Sequence, residues 1–321
     1  MPIHWFPGHM NATRQAIKDR VKAGLDVVIE LLDARLPGSS SNPLLASLTT
    51  GRPSLKVLNK QDLADPAQTE AWMAFYNAQP HTRAIALDAG DKAPARALVK
   101  ACRELAPGRG DMHKPLRVLI CGIPNVGKST LINTLVGKRA AKTGDEPGIT
   151  KVEQKIVLEN GFYLFDTPGM LWPRISIEQS GYNLAASGAI GRNAFDEAEV
   201  ALELIATLKR RYAERLRARY GLPELDENSE DEAVLEAIGV KRGAKIRGGA
   251  VQMHKAAEAL LGDYRAGLLG RITLETPEEM AAWRREAAEA DAAKAAEREA
   301  EKAADKLRRS GKRQVSGGDA G

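Results

Sequence analysis

Short apolar runs alternate with amphipathic stretches through the first half of the chain. The apolar runs are rich in Val, Ile and Leu and lie at residues 26–33, 55–58, 83–87 and 118–121. Runs of this length and composition are typical of buried strands. Helices are predicted before and between them at residues 11–22, 66–79 and 93–105, with a short one from residue 43. This alternation predicts an α/β fold built on a mostly parallel sheet.

Three of these helix starts carry a capping signal. Asn42 and Asp65 each precede a proline, and a capping side chain followed by Pro at the first helical position favours a helix start. Asn11 is predicted to cap the first helix, which ends near Gly24. These capping signals therefore define where the three helices begin.

A hairpin signal ends the strand-rich half. Strands are predicted at residues 152–159 and 162–165, joined by an Asn160-Gly161 turn, which would give the sheet one antiparallel edge. Beyond residue 177 the strand signal fades, and helices are predicted at residues 194–220, 231–238 and 252–261. We therefore expect an α/β domain at 1–176, a smaller all-α domain at 177–275 and a charged tail at 276–321. The tail is rich in Ala, Glu, Lys and Arg, with an exposed helix expected to residue 309 and disorder from residue 310.

Composition narrows the class of protein. The 321 residues carry a net charge of +5, which permits a nucleic-acid partner without requiring one. The two cysteines, Cys102 and Cys121, lie in apolar runs, so a reducing compartment fits and a disulfide framework does not. The sequence contains neither a secretory leader nor an apolar run long enough to span a bilayer. These features predict a cytoplasmic protein with no membrane partner.

A phosphate-binding motif lies at residues 122–129, Gly-Ile-Pro-Asn-Val-Gly-Lys-Ser, between a predicted strand and a predicted helix. Glycines allow the backbone N–H groups to close around phosphate oxygens, and the positive end of the following helix points at the same anion. Lys128 would contact the β- and γ-phosphates, and the Ser129 hydroxyl would bind Mg²⁺. A chance match is a poor explanation, because flanks, spacing and residue types all agree.

Three further motifs complete a nucleotide site. Asn59-Lys60-Gln-Asp62 follows a strand, and its carboxylate can accept from both N1–H and N2–H₂ of guanine, a donor pair that adenine lacks. Asp166-Thr-Pro-Gly169 would hold Mg²⁺ through water and sense the γ-phosphate, and Thr150 would complete the metal shell in the triphosphate state. Each short motif alone is weak, and Asn-Lys-x-Asp often only caps a helix. Four of them at predicted strand ends favour a nucleotide site.

The order of the motifs is permuted, because the base-recognition motif precedes the phosphate motif. With Trp-Phe-Pro-Gly-His-Met at 5–10, Asp-Ala-Arg at 33–35 and Leu-Trp-Pro at 171–173, the chain resembles the circularly permuted GTPases of the ribosome biogenesis GTPase A type. The resemblance covers residues 3–275 and implies a cytoplasmic GTPase that uses GTP and Mg²⁺ and acts late in large-subunit assembly. It also implies a helical C-terminal domain that contacts ribosomal RNA, and no DNA partner is expected. The residues expected to bind nucleotide are Asn59, Lys60, Asp62, Asp88, Ala89, Gly122, Asn125, Val126, Gly127, Lys128, Ser129, Thr130 and Gly169, with Ser129, Thr150 and Asp166 at the metal.

The second base-contacting loop departs from the family pattern. The family expectation is a Ser-Ala-type segment, whereas this chain has Ala-Leu-Asp-Ala-Gly at 86–90. Asp88-Ala89 is the best alignment, because a small residue can present its backbone N–H to guanine O6.

Hydrolysis needs a group that orients water, and Met170 and Leu171 stand where many GTPases carry Gln. Two candidates remain beside Lys128 and Thr150. The resemblance points to His9, whose alternative is packing beside the first helix, and to Asn125, which would hold K⁺ or else only stabilise its loop. Asp33 and Arg35 are expected to fix a strand end; a finger-like role for Arg35 is the alternative.

A basic, Gly-rich segment at residues 241–249 is the candidate RNA contact, extended by Lys255, Arg265 and Arg271. By composition alone it would be an ordinary solvated loop; the resemblance favours RNA. The expected function is thus a GTP-hydrolysing factor that times its stay on a large-subunit precursor. Two alternatives stay open: a nucleotide-gated rRNA-binding module with incidental hydrolysis, and a GTPase of small-subunit assembly.

Overall fold

The computed structural model describes residues 9–137, 154–159, 161–244 and 250–315. The strands are β1 Val27–Asp33, β2 Ser54–Asn59, β3 Thr82–Ala86, β4 Leu116–Gly122, β5 Gln154–Glu159 and β6 Phe162–Asp166. The α-helices are α1 His9–Ala23, α2 Pro43–Leu48, α3 Pro66–Asn77, α4 Lys92–Leu105, α5 Lys128–Val136, α6 Glu178–Ser187, α7 Glu197–Tyr220, α8 Asp231–Lys241, α9 Met253–Arg265 and α10 Pro277–Val315. Contacts group the chain into two units, Met1–Pro277 and Glu278–Gly321.

Six strands form one sheet in the order β3-β2-β1-β4-β6-β5. All neighbouring pairs are parallel except β5 with β6, so the predicted mostly parallel sheet with one antiparallel edge is confirmed. The strands on one side of β4 come earlier in the chain, and those on the other side come later. The connector at 106–115 joins α4 to β4, the strand that this permuted order places in the middle of the sheet.

The central strands β1 and β4 are buried on both faces, whereas the edge strand β5 is largely exposed. Every residue of β1 is buried, and Val27, Ile29 and Leu31 are fully enclosed. Each such side chain contributes roughly 1.5–3 kcal/mol relative to exposure. Glu30, the acidic residue in the middle of β1, accepts a hydrogen bond from the Asn42 N–H at 2.6 Å and pairs with Lys56. The parallel sheet therefore forms a continuous hydrophobic core with its buried charge paired.

Two predicted caps form, and one does not. The side chains of Asn42 and Asp65 accept backbone N–H bonds in the first turns of α2 and α3, each with Pro at the first position. Asn11 does not begin its helix, because α1 already starts at His9. The predicted start of that helix was therefore wrong by two residues.

The C-terminal half is helical, as expected, but it contains a helix that the sequence did not predict. Helix α6 buries Ser180, Asn183 and Ser187 together with Tyr182, Leu184, Ala185 and Ala186, so polar side chains interrupt its buried surface. Helix α10 continues to Val315, past the point where disorder was expected. None of the described helices is both long enough and apolar enough to cross a bilayer.

Parallel strands end at one edge of the sheet, and four of the predicted motifs lie at that edge. Asp33, Asn59, Gly122 and Asp166 are the last residues of β1, β2, β4 and β6. The edge of the sheet at the carboxyl ends of its strands is where α/β folds of this kind bind ligands. The fold thus brings together residues that are far apart in sequence.

Candidate active site

The phosphate-loop motif at 122–129 joins β4 to α5, the strand–loop–helix context that the motif requires. Gly127 caps α5 in the left-handed region, with φ +96°. A Cβ at this position would lie 2.3 Å from Asn59 Nδ2. Glycine is therefore required here both by the backbone conformation and by the close approach of the base-recognition loop.

Lys128 and Asp166 form a buried ion pair at the centre of the site. Lys128 Nζ lies 2.5 Å from Asp166 Oδ1, and the two side chains are 6% and 0% exposed. Burial raises the pKa of the Asp166 carboxyl, and the adjacent Lys128 opposes that shift. The second oxygen, Asp166 Oδ2, has no hydrogen-bond partner among the described residues. A buried carboxylate oxygen without a partner fits a site that receives a hydrated divalent cation.

Asn59 connects the base-recognition loop to the phosphate loop. Its Nδ2 donates to the Val126 carbonyl at 2.7 Å, and its Oδ1 accepts from the Ala89 N–H at 2.8 Å. The side chain is 2% exposed, so both bonds are shielded from water. The amide thus braces two loops. The Ala89 N–H, which was expected to face guanine O6, is here bonded to Asn59.

Lys60 makes the second connection. Its backbone is left-handed at φ +60°, and its Nζ donates to the Asn125 carbonyl at 2.9 Å and to Asp33 Oδ2 at 3.0 Å. Burial lowers the pKa of the Lys60 ammonium, and Asp33 opposes that shift. The side chain of Lys60 therefore links the end of β1 to the phosphate loop. Asp62, two residues further along the same loop as Lys60, is exposed.

Asp33 and Arg35 are buried and paired with each other. Arg35 Nη2 lies 2.8 Å from Asp33 Oδ2, and both side chains are nearly inaccessible. Burial alone would raise the pKa of Asp33, but Arg35 and Lys60 together hold it well below its ordinary range. Since Asp33 also accepts the Lys60 bond, this pair fixes the strand end and the loop beside it, as the sequence predicts.

The second base-contacting loop, residues 86–90, packs on α5, the helix that follows the phosphate loop. Ala89 is 3% exposed, and its carbonyl accepts from Thr134 Oγ1 of α5 at 2.7 Å. Asp88 is partly buried and accepts the Gly90 N–H at 2.9 Å. Nothing in the sequence singles out Thr134, because a Thr inside a helix has no distinguishing pattern.

The segment after Asp166 lies against the phosphate loop. Gly169 leaves no room for a side chain, since a Cβ would be 3.0 Å from Pro124 Cα. Met170 donates its N–H to the Gly122 carbonyl at 3.1 Å and accepts from Asn42 Nδ2 at 2.9 Å. Met170 and Leu171 are both buried, so neither is placed to orient a water molecule.

The helical part touches the phosphate loop directly. Asn125, whose φ is +57°, donates through Nδ2 to the Gly188 carbonyl at the end of α6, at 2.9 Å. Arg265 donates to the carbonyls of Ala185 and Ala186 in the same turn at 2.9 and 2.8 Å. A cleft of about 870 Å³ opens here, lined by Arg35, Lys60, Asn125 and Arg265 among others. Its basic lining suits an anionic ligand.

Three further predicted residues, in and just after the phosphate loop, differ in their exposure. Ser129 is half-buried, Thr130 is exposed and Val126 is 1% exposed, all in or just after the phosphate loop. Thr150, the His9 side chain and residues 245–249 of the basic segment lie outside the described residues. Their roles stay predictions.

The fold and the site define a P-loop GTPase with a permuted order of motifs. Residues 117–232 match the family described as 50S ribosome-binding GTPase. The chain is 41% identical to ribosome biogenesis GTPase A of Bacillus cereus over 87% of this chain and 95% of that protein. Among solved structures it is similar to the GDP-bound structure of TM YlqF (28% identity, 82% of this chain and 99% of that chain, TM-score 0.59). The crystal structure of GNP-bound YlqF from T. maritima is similar too (29% identity, 83% and 98% coverage, TM-score 0.57).

The chain belongs to the ribosome biogenesis GTPase A family. It is a GTPase, and it binds guanine nucleotides. The resemblance inferred from the sequence motifs is confirmed.

Proposed function

We propose that this protein is a GTP-hydrolysing assembly factor in ribosome biogenesis that binds the maturing large subunit and uses hydrolysis to time a late step or its own release. The observation that carries the proposal is the meeting of two distant segments. Asn59 and Lys60 hold the phosphate loop through the carbonyls of Val126 and Asn125, so one nucleotide can span both. The match to a family described as 50S ribosome-binding supports the large subunit over the small one.

In this proposal the chain's own residues handle the nucleotide. Asp62 accepts from the guanine edge, Lys60 lies along the base, and Lys128 moves from Asp166 to the β- and γ-phosphates. Asp166, Ser129 and Thr150 are the residues that would hold Mg²⁺. The metal, when bound, neutralises charge on the phosphate oxygens.

Turnover by the free protein is expected to be slow, because Met170 and Leu171 supply no group to orient water. His9 is the proposed orienting residue, and Asn125 the proposed K⁺ ligand. Asn125 already donates to the Gly188 carbonyl just after α6, so a change at the phosphate loop has a direct route to the helical part. The basic segment at 241–249, with Lys255, is the proposed contact to ribosomal RNA.

The test is sedimentation of cell extract on a sucrose gradient with a non-hydrolysable GTP analogue. We expect the protein to travel with large-subunit precursors, and to leave them when GDP replaces the analogue. The Asp62→Asn variant is the matched specificity control, because an Asn amide can donate to the O2 of xanthine. It should follow the particles with a xanthosine triphosphate analogue and not with the guanosine one.

The alternatives give different outcomes. Travel with small-subunit particles would transfer the function to that subunit. Binding to precursors without any acceleration of GTP turnover would favour a nucleotide-gated RNA-binding module. Binding that ignores the nucleotide would remove the timing role.

A further inference from the structure

The segment Gly270-Arg271-Ile272-Thr273 has no place in the catalytic account, yet it lies against the base-recognition loop. It is part of a connecting stretch, residues 267–275, that follows α9 and that we call the strap. The strap is irregular, but four of its residues, 272–275, are at most 2% exposed. A buried stretch with this little regular structure must satisfy its backbone through other parts of the chain.

Arg271 holds the turn that carries Asp62. Its Nη2 donates to the Gln61 carbonyl and its Nε to the Ala64 carbonyl, both at 2.8 Å. The backbone N–H of Ile272 adds a bond to the Leu63 carbonyl at 2.9 Å. The carbonyl on each side of Asp62 in sequence, from Gln61 and from Leu63, thus accepts a bond from the strap.

The strap itself is fixed at its other end to the strand that carries Asp33. Thr273 Oγ1 donates to the Ala34 carbonyl at 3.2 Å, and the Leu274 N–H donates to the Arg35 carbonyl at 2.7 Å. Glu275, which is fully buried, accepts the Ser39 N–H at 2.7 Å. The strap therefore ties the turn of Asp62 to the rigid end of β1.

Asp62 is exposed, so its direction depends on the turn beneath it. A carboxylate that reads two adjacent N–H groups of guanine must be held close to one orientation. The planar fork of an arginine presents its N–H groups to two carbonyls in a fixed geometry, whereas the three N–H groups of an ammonium share one nitrogen at the end of a flexible stem. An arginine at this position thus constrains the turn in a way that a lysine would not.

We propose that Arg271 is a positioning residue for guanine recognition: by holding the carbonyls of Gln61 and Ala64, it fixes the turn on which Asp62 meets the N1–H and N2–H₂ edge of the base. The inference rests on the proposed function of Asp62 as the guanine-reading carboxylate. It gives the C-terminal strap a part in base selection.

The experiment compares GDP with IDP, which lacks the exocyclic amine that only Asp62 would read. Dissociation constants are measured on the full chain by competition against a fluorescent GDP, for wild type, Arg271→Met and Arg271→Lys. The matched control is Arg52→Met, an exposed arginine beyond the opposite end of β2. Thermal melting of each variant reports stability separately.

The wild-type protein should bind GDP about 10- to 100-fold more tightly than IDP, because IDP lacks one hydrogen bond to the charged Asp62 carboxylate. We expect Arg271→Met to lower that preference about 3- to 10-fold, Arg271→Lys to lower it less, and Arg52→Met to leave it unchanged. An unchanged ratio of the GDP and IDP dissociation constants in both Arg271 variants would overturn the inference. If both nucleotides also bind more weakly, Arg271 would be assigned to stability alone. A wild-type ratio near one would instead remove Asp62 from base reading, and the inference with it.

Discussion

Replacing Asn59 by Asp is the sharpest available perturbation of the site, because it changes one atom of the brace and keeps its volume. Asp still offers an oxygen to the Ala89 N–H. It replaces the donor that lies 2.7 Å from the Val126 carbonyl by a second oxygen. The position is 2% exposed, so water cannot rescue the carbonyl.

The cost follows from these contacts. A buried carbonyl left without its donor costs about 1–3 kcal/mol, and the facing oxygen adds repulsion, so about 2–4 kcal/mol is a reasonable total. In the variant, the two loops held by Asn59 must be brought back into place when the nucleotide binds, and part of the binding free energy is used for this. We therefore expect GDP to bind about 30- to 700-fold more weakly to Asn59→Asp.

The assay is titration of a fluorescent GDP, repeated with 7-deaza-GDP to remove the N7 acceptor. If Asn59 acts by bracing the loops, Asn59→Asp should lower the affinity for GDP and for 7-deaza-GDP equally. If Asn59 instead contacts N7 directly, the affinity for GDP should fall more than the affinity for 7-deaza-GDP. The control is Asn77→Asp at the end of α3, where another Asn side chain accepts a backbone N–H at 2.8 Å, from Ala84 of β3. If Asn59→Asp binds GDP within about threefold of wild type, the bracing argument is wrong, since a 1.4 kcal/mol effect is already tenfold.

Three further predictions follow from the same contacts. Gly127→Ala should fold yet gain little thermal stability from GDP, because its Cβ would lie 2.3 Å from Asn59 Nδ2; a wild-type thermal shift would contradict this. The ionised form of Asp33 is favoured in the folded state, where its pKa lies below the ordinary 3.8, so its stabilisation is present above about pH 4 and is lost as pH falls. Asp33→Asn should therefore lower the free energy of unfolding at pH 7 by about 3–5 kcal/mol and flatten the acid side of a urea-denaturation series, and parallel curves would refute this. Asn125→Ala should lose any acceleration of phosphate release by K⁺ over Na⁺, and an unchanged ratio of rates would remove Asn125 as the cation ligand.

The sequence was sufficient for the sheet because its signals are local and repeated. Each parallel strand is an apolar run, and Asn42 and Asp65 carry their capping chemistry within a few residues. The motifs at the ends of β2, β4 and β6 could be joined into one site because parallel strands must end at the same edge. Asn11 failed as a cap because nothing in the sequence distinguished a residue in the first turn from the residue before it.

Other features depend on contacts that no local pattern encodes. Helix α6 hides its periodicity because Ser180, Asn183 and Ser187 are buried where apolar residues would be expected. Asn183 is satisfied there by Glu275, which is 92 positions further along the chain. The bonds from Asn59 to two loops, and from Arg271 to the turn of Asp62, are likewise long-range and involve ordinary backbone groups.

The permuted order of the strands has a consequence for synthesis on the ribosome. The strands β1, β2 and β3 emerge first, and their half-sheet exposes the largely apolar β1 along an open edge until β4 pairs with it. An uncovered edge of this kind invites pairing with other chains. Because β4 also brings in the phosphate loop, the step that protects the nascent half-sheet is the step that begins to create nucleotide affinity. Added guanine nucleotide should therefore do nothing for nascent chains that end before β4 and should protect those that already include the phosphate loop.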